Sequence, residues 1–185
     1  AASDVTVGIL GLGVLGRDAA AKLRMMGFRV SGWSRRRQEL EGVRCFAGRE
    51  GLGPFLAEID ILVCLLPLTK DTRGILSMPL FSRMKQGGPL GAPVLVNAGR
   101  GGLQNEADIL AALDRGLMSA ITLDVFETEP LPADSPLWDH PKVTITPHAA
   151  ASSDPARLVP PIIAQMEAFE RGEPLQNTVD RAALY

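Results

Sequence analysis

Cysteine is nearly missing from this chain: Cys45 and Cys64 are its only two. They lie 19 residues apart on different predicted strands, without C-x-x-C or metal-knuckle spacing, so they read as buried reduced thiols. Histidine is equally scarce. His140 and His148 alone can offer imidazole, and no metal site is expected. There is no run of about 18 or more apolar residues and no signal-peptide pattern, which predicts a soluble, cytoplasmic chain with no membrane partner. An excess of charge of one sign is lacking too. Nineteen basic against 21 acidic side chains leave a formal net charge of −2, which excludes the basic field that a nucleic-acid or anionic-membrane partner requires. Internal repeats, charge blocks and low-complexity segments are likewise missing. With four residues before the first strand, the expectation from this sequence is that no domain stands upstream of it.

What is present is apolar residues, at 46%, in a length that suits one doubly wound α/β domain. The organising stretch is Val5-Thr-Val-Gly-Ile-Leu-Gly-Leu-Gly-Val-Leu-Gly16. Val5, Val7, Ile9 and Leu10 are large or β-branched, as a buried parallel strand requires. Gly11, Gly13 and Gly16 then fit G-x-G-x-x-G: a tight turn, a backbone approach to a pyrophosphate, and close packing of the following helix. That helix places Leu15, Ala19, Leu23 and Met26 on one face and stops at Gly27, and its N-terminus offers N–H groups to an anion. An ordinary strand-to-helix turn can carry the same three glycines. The order of strand, glycines and helix favours a dinucleotide.

A second strand, Phe28 to Trp33, opens on Ser34-Arg-Arg-Arg37. A NAD site usually holds an Asp or Glu about 20 residues past the glycines, for the ribose 2′-hydroxyl. Arginines there suit a 2′-phosphate instead, because guanidinium forks bind phosphate bidentately. The other reading is a solvated basic turn balanced by Glu39 and Glu41. Trp33, Ser34, Arg35 and Arg36 therefore join the cofactor-binding candidates.

Val43 to Phe46 reads as a short edge strand, and Gly51-Leu-Gly-Pro54 as a break before a brief helix from Phe55 to Glu58. Asp60 to Leu66 is an apolar strand for the centre of the sheet, halted by Pro67. The loop that follows, through Thr72, falls where ligands bind in open α/β sheets, making Leu66, Pro67 and Thr72 candidates. A helix is predicted around Pro79 to Lys85. The strand Val94-Leu-Val96 empties into Asn97-Ala-Gly-Arg-Gly-Gly102, adding Asn97, Ala98 and Gly99. Asn105 caps a helix from Glu106 to Arg115 with Ile109, Leu110 and Leu113 inward, and Gly116 stops it. Ala120 to Phe126, which contains Asp124, reads as a strand. A Pro-punctuated loop, Glu127 to Pro141, leads to the last strand, Val143 to Thr146, and to Pro147-His148. Asp154-Pro155 starts a helix that Pro160-Pro161 should interrupt, with a second segment restarting at Pro161.

Arg100, Glu129 and His148 all fall just beyond strand ends, which a parallel sheet gathers on one edge. Each alone is an ordinary solvated side chain. Their joint placement is what suggests chemistry.

Four stretches in order carry a resemblance: Gly11-Leu-Gly-Val-Leu-Gly16, Asn97-Ala-Gly-Arg-Gly101, Asp124-Val-Phe-Glu-Thr-Glu-Pro130 and Thr146-Pro-His-Ala149. Together they resemble the signatures of the D-isomer-specific 2-hydroxyacid dehydrogenases. Within that family Trp33-Ser-Arg-Arg36, Ser135-Pro-Leu-Trp138 and Val179-Asp-Arg-Ala182 resemble the NADPH-preferring glyoxylate/hydroxypyruvate reductases of bacteria. The resemblance implies a Rossmann domain over 1–151 and, over 152–185, a helical segment that returns to a substrate domain. It implies that Arg100 holds the carboxylate of a 2-oxo acid and polarises its carbonyl, that His148 donates the proton, and that Glu129 hydrogen-bonds the imidazole. The resemblance also implies that Leu12, Val14 and Leu15 lend backbone to the pyrophosphate. Asp124 would meet the nicotinamide carboxamide of NADPH, preferred over NADH, and the long loop would be the arm of a homodimer. The family also contains phosphoglycerate and formate dehydrogenases, and dinucleotide-sensing corepressors resemble it. The arginine turn favours the reductase reading. The sequence lacks the N-terminal part of the substrate domain, and the proline pair stands where the family runs a helix.

Overall fold

The computed structural model describes residues 1–151 and 154–179, so Asp180 to Ala182 of the resembling C-terminal stretch lie outside the described residues. β1 (Thr6–Leu10) is buried at every position. Parallel pairing joins it to β2 (Arg29–Ser34) on one side and β4 (Ile61–Cys64) on the other. β3 (Arg44–Ala47) forms one edge, and β5 (Val94–Asn97), β6 (Ala120–Leu123) and β7 (Val143–Ile145) extend the other half, giving the seven-stranded order β3-β2-β1-β4-β5-β6-β7. All six pairings are parallel, so the fold is the doubly wound α/β sheet, and its strand order reverses between β1 and β4.

Helices α1 (Val14–Met25), α2 (Gly48–Leu56), the single turn α3 (Met78–Phe81) and α4 (Glu106–Asp114) connect the strands. Phe55, Leu56, Ile59, Leu62, Leu76, Leu95, Leu103, Ile109 and Leu113 form the fully buried core, each contributing about 1.5–3 kcal/mol by leaving water. The carboxylates of Glu58 and Asp60 fasten the N-terminal ends of the strands. Asp60 accepts from Thr6 N at 2.8 Å and Lys85 Nζ at 2.7 Å, while Glu58 accepts from the Ser31 hydroxyl and Arg44. A groove of about 1000 Å³ opens at that same edge, lined in part by Arg24, Arg29, Arg44 and Glu58.

Several expectations need correction. The buried strip of α1 runs through Gly16 and Ala20, with Ala19 and Leu23 half-buried, whereas Leu15 and Met26 are exposed. The strip starts at Gly16 because a Cβ there would stand 1.9 Å from Gly11 O, so this residue is the helix's point of closest approach. α2 runs through Gly51, Gly53 and Pro54 instead of breaking there. The anchor is Phe55-Leu56, fully buried, and the N–H that Pro54 lacks would have served the exposed Glu50 turn, where water reaches the carbonyl. Asn105 caps α4 as expected, its Oδ1 accepting from Asp108 N. Leu110 is only half-buried, and Ala112 takes the inward position beside Ile109 and Leu113. Cys64 is buried and its thiol pushed up to about 12 by that burial; Cys45, also free, is only half-buried.

The chain divides into two compact units, 1–148 and 149–185. In the second, α5 (Pro155–Glu170) is one continuous helix through Pro160 and Pro161, capped by Asp154. The carbonyls those prolines leave unserved, on Ala156 and Arg157, are on exposed residues and are open to water. No helix among the described residues is long and apolar enough to cross a membrane.

Candidate active site

The C-terminal ends of β1, β4, β5, β6 and β7 carry the candidate residues. Gly11 sits at φ +113°, where L side chains are strained, and its N–H donates to Trp33 O, tying the glycine loop to the end of β2. Gly13 differs. Its φ is −73° and a Cβ there would meet no protein atom within 4 Å, so nothing in the protein's own packing requires glycine at this point. A cradle left open beside a helix N-terminus fits the approach of a phosphate. The first bond within α1 runs from Arg17 N to Gly13 O, which leaves the N–H groups of Val14, Leu15 and Gly16 in the helix's unpaired first turn. Val14 and Leu15 are exposed, whereas the Leu12 side chain is buried against Gly32.

At the end of β2, Trp33 Nε1 donates to Gly48 O at 2.8 Å and Ser34 Oγ to Arg36 O at 2.6 Å, shaping a turn from which Arg35 and Arg36 project as exposed side chains. Arg17, which sequence reasoning missed, connects the two regions. Its guanidinium donates to Leu12 O in the glycine loop and to Gln38 beyond the arginine turn. Its position directly after Gly16 was the available signal.

The other loops stack beside this one. A Cβ on Gly11 would lie 3.2 Å from Leu66 N, and one on Gly99 2.9 Å from Leu66 O, so Leu66 is sandwiched between the glycine loop and the loop carrying Arg100. Thr72 Oγ1 donates to Pro67 O at 2.7 Å and folds its loop back on the end of β4. Asn97 is fully buried, its Oδ1 accepting from Gly99 N, and Ala98 N donates to Cys64 O. Arg100 is exposed, with its guanidinium on Gly99 O at 2.7 Å.

Beyond β6, Asp124 is 4% exposed. It accepts from Thr146 Oγ1 at 2.5 Å, and its own N–H bonds Asn97 O. Glu129 and His148 meet directly, Oε2 to Nδ1, at 2.8 Å. The other carboxylate oxygen accepts from Phe126 N at 3.0 Å. The His148 bond first, and the Phe126 N–H second, hold the Glu129 carboxyl below the ordinary carboxylate range. His148 itself adopts φ +54°, an uncommon conformation for a residue with a side chain. With Nδ1 turned to the carboxylate, Nε2 is the nitrogen left to face a ligand. Gly101 brings the Arg100 loop against this pair, since a Cβ on it would stand 1.7 Å from Phe126 O.

The model of the D-isomer specific 2-hydroxyacid dehydrogenase NAD binding domain matches residues 1–150. The chain is similar over its whole length to the NADPH-dependent glyoxylate/hydroxypyruvate reductase of Sinorhizobium meliloti, solved with NADP and sulfate, at 54% identity and a TM-score of 0.96. It is similar in the same way to a probable 2-hydroxyacid dehydrogenase of Rhizobium etli, solved with NADP, at 53% identity and a TM-score of 0.94. It spans 58% of the length of each of these two proteins. A phosphoglycerate dehydrogenase of Lactobacillus plantarum stands further off, with 32% identity and a TM-score of 0.76 over 97% of this chain and 57% of that one. Sheet order, glycine loop and family match agree: the chain belongs to the D-isomer specific 2-hydroxyacid dehydrogenase family and carries its NAD binding domain.

Proposed function

We propose that this chain is the cofactor-binding part of a cytoplasmic, homodimeric reductase that uses NADPH to convert a small 2-oxo acid, glyoxylate or hydroxypyruvate, to the 2-hydroxy acid. The observation that carries this reading is the Glu129–His148 pair, 2.8 Å apart, on the same sheet edge as Arg100 and the glycine loop. The name of the Sinorhizobium meliloti relative, at 54% identity, supports the substrate class over that of the phosphoglycerate branch.

NADPH, when bound, supplies the hydride. The chain's own residues handle binding, charge and the proton. Arg100 grips the substrate carboxylate as a bidentate fork and presents positive charge to the carbonyl oxygen. As the carbonyl is reduced, that oxygen gains negative charge and needs a proton, which His148 delivers from Nε2. Glu129 accepts from Nδ1, which fixes the ring and leaves Nε2 as the nitrogen for the substrate. Gly11, Leu12, Gly13, Val14, Leu15 and Gly16 cradle the pyrophosphate. Trp33, Ser34, Arg35 and Arg36 surround the adenosine ribose, the two arginines taking its 2′-phosphate. Leu66, Pro67, Thr72, Asn97, Ala98, Gly99 and Asp124 line the nicotinamide half, Asp124 toward the carboxamide. The dimer arm is the loop from Glu127 to Pro141, where the Trp138 side chain stands half exposed.

Calorimetric titration of this chain tests the cofactor: NADPH should bind at least about tenfold more tightly than NADH, a difference of about 1.4 kcal/mol. Equal affinities overturn that assignment. The complete protein should oxidise NADPH with glyoxylate or hydroxypyruvate. Turnover confined to a phosphorylated 2-oxo acid would move it to the phosphoglycerate branch.

A further inference from the structure

A buried hydrogen-bond chain reaches the Glu129–His148 pair from beneath Arg100. Asn97 Nδ2 donates to Gln104 Oε1 at 2.7 Å, and Gln104 Nε2 donates to Val125 O at 3.1 Å. The N–H of that same peptide unit, on Phe126, donates to Glu129 Oε1 at 3.0 Å, and Glu129 Oε2 meets His148 Nδ1. Asn97 and Gln104 are 0% and 1% exposed, so neither can exchange these partners for water. Bonds linked in this way polarise one another in the low-dielectric interior.

The peptide between Val125 and Phe126 is planar, so its oxygen and its N–H point in opposite directions. Rotated by half a turn, it would set its carbonyl oxygen against the Glu129 carboxylate instead of a donor. The Gln104 amide decides between the two orientations, because with one Nε2 hydrogen on Glu106 the other is served when Val125 O faces it. Glu106 steadies the next peptide from the other side, its Oε1 accepting from Glu127 N at 3.3 Å and from Gln104 Nε2 at 3.3 Å. At the far end, Asn97 Nδ2 is shared with Arg100 O at 3.4 Å. The substrate arginine and the proton donor therefore hang on one buried amide pair.

We propose that Gln104 is a positioning residue for the proton donor: by fixing the plane of the Val125–Phe126 peptide it aims an N–H at Glu129, and through Glu129 it sets His148. This rests on the roles given to Arg100, Glu129 and His148 under Proposed function. The side chain touches neither substrate nor cofactor in that reading, so its removal changes the chemistry and leaves NADPH affinity alone.

The test uses Gln104→Met, which keeps length and approximate volume but makes none of the three hydrogen bonds, and Glu106→Ala, which loosens the same segment at a half-buried position. In this chain the Glu129 carboxyl is titrated by carbon NMR. Gln104→Met should move it up toward the ordinary glutamate range, and Glu106→Ala should move it part of the way. In the complete protein Gln104→Met should lower kcat about 10- to 100-fold, the scale of a small misplacement, with the Kd for NADPH within about twofold of wild type. A Gln104 that only stitches the fold would lower Tm and leave the Glu129 titration where it is. An unshifted Glu129 in either folded variant overturns the proposal, and if Gln104→Met does not fold, Glu106→Ala decides. A wild-type protein that reduces no 2-oxo acid would sink the functional reading while the Glu129 titration still judges this one.

Discussion

The two edges of the sheet use the same residue types to opposite ends. At the N-terminal edge Asp60 is 3% exposed and holds both Thr6 N and Lys85; Glu58 holds Ser31 and Arg44. Even the cations around the 1000 Å³ groove there are engaged, Arg24 on Glu41 O and Arg29 on Asp4 O. At the C-terminal edge Arg100, Glu129 and His148 are exposed, and Arg35 and Arg36 project from a turn. The 1000 Å³ groove thus lies apart from the residues proposed above to carry the chemistry. What separates the edges is where the carboxylates sit: Asp60 is buried and spends its oxygens on a strand end and Lys85, whereas Glu129 is exposed and spends its own on Phe126 N and the His148 ring.

The sharpest way to break the comparison is at the proposed proton donor. In the complete protein His148→Ala should cut turnover about 10² to 10⁴-fold at neutral pH with cofactor affinity nearly unchanged. Near-normal glyoxylate reduction by that variant would show that the functional edge has been misassigned. The structural edge should respond in the other currency. Asp60→Ala orphans a buried N–H and the Lys85 ammonium, so chemical denaturation should show a loss of about 2–4 kcal/mol, with NADPH affinity retained in the folded protein.

A smaller effect belongs to the arginine turn. The double change Arg35→Ala, Arg36→Ala should erase the tenfold preference for NADPH, about 1.4 kcal/mol, without moving NADH affinity or Tm. The smallest effect is the pH response of the exposed pair. Because the folded Glu129 carboxyl lies below its ordinary range, about 4.3, its contribution is present above that pH and is lost as pH falls through the folded value. Melting curves of wild type and Glu129→Gln should differ at about pH 5 to 7 and converge as pH falls through the folded value of Glu129. Parallel curves throughout would mean that the Glu129–His148 bond adds no measurable stability.

Much of this could be read from the chain because its signals are local. A strand, three glycines and a helix in order locate the switch point, and a parallel sheet brings Arg100, Glu129 and His148 to one edge whatever their separation in sequence. The misreadings share a cause. At Pro54 and Pro160-Pro161 proline was weighed as a breaker, but a missing N–H matters little where the orphaned carbonyl faces water. In α1 the apolar spacing pointed to Leu15 and Met26, whereas the contact of Gly16 with Gly11 O sets which face turns inward. Gln104 was illegible for a different reason. A single glutamine after a glycine loop has no pattern, and its meaning depends on Val125, 21 residues away, arriving opposite it.

Trp33 ends β2 with its indole N–H on Gly48 O, directly before the Ser34-Arg35-Arg36 turn. It is one of only two tryptophans, and the other, Trp138, sits in the long loop after β6. The chain therefore contains an optical gauge of the adenosine pocket proposed above. With Trp138→Phe removing the second source, light absorbed by one half-buried indole reports on filling of that pocket, with no label attached and no need for turnover.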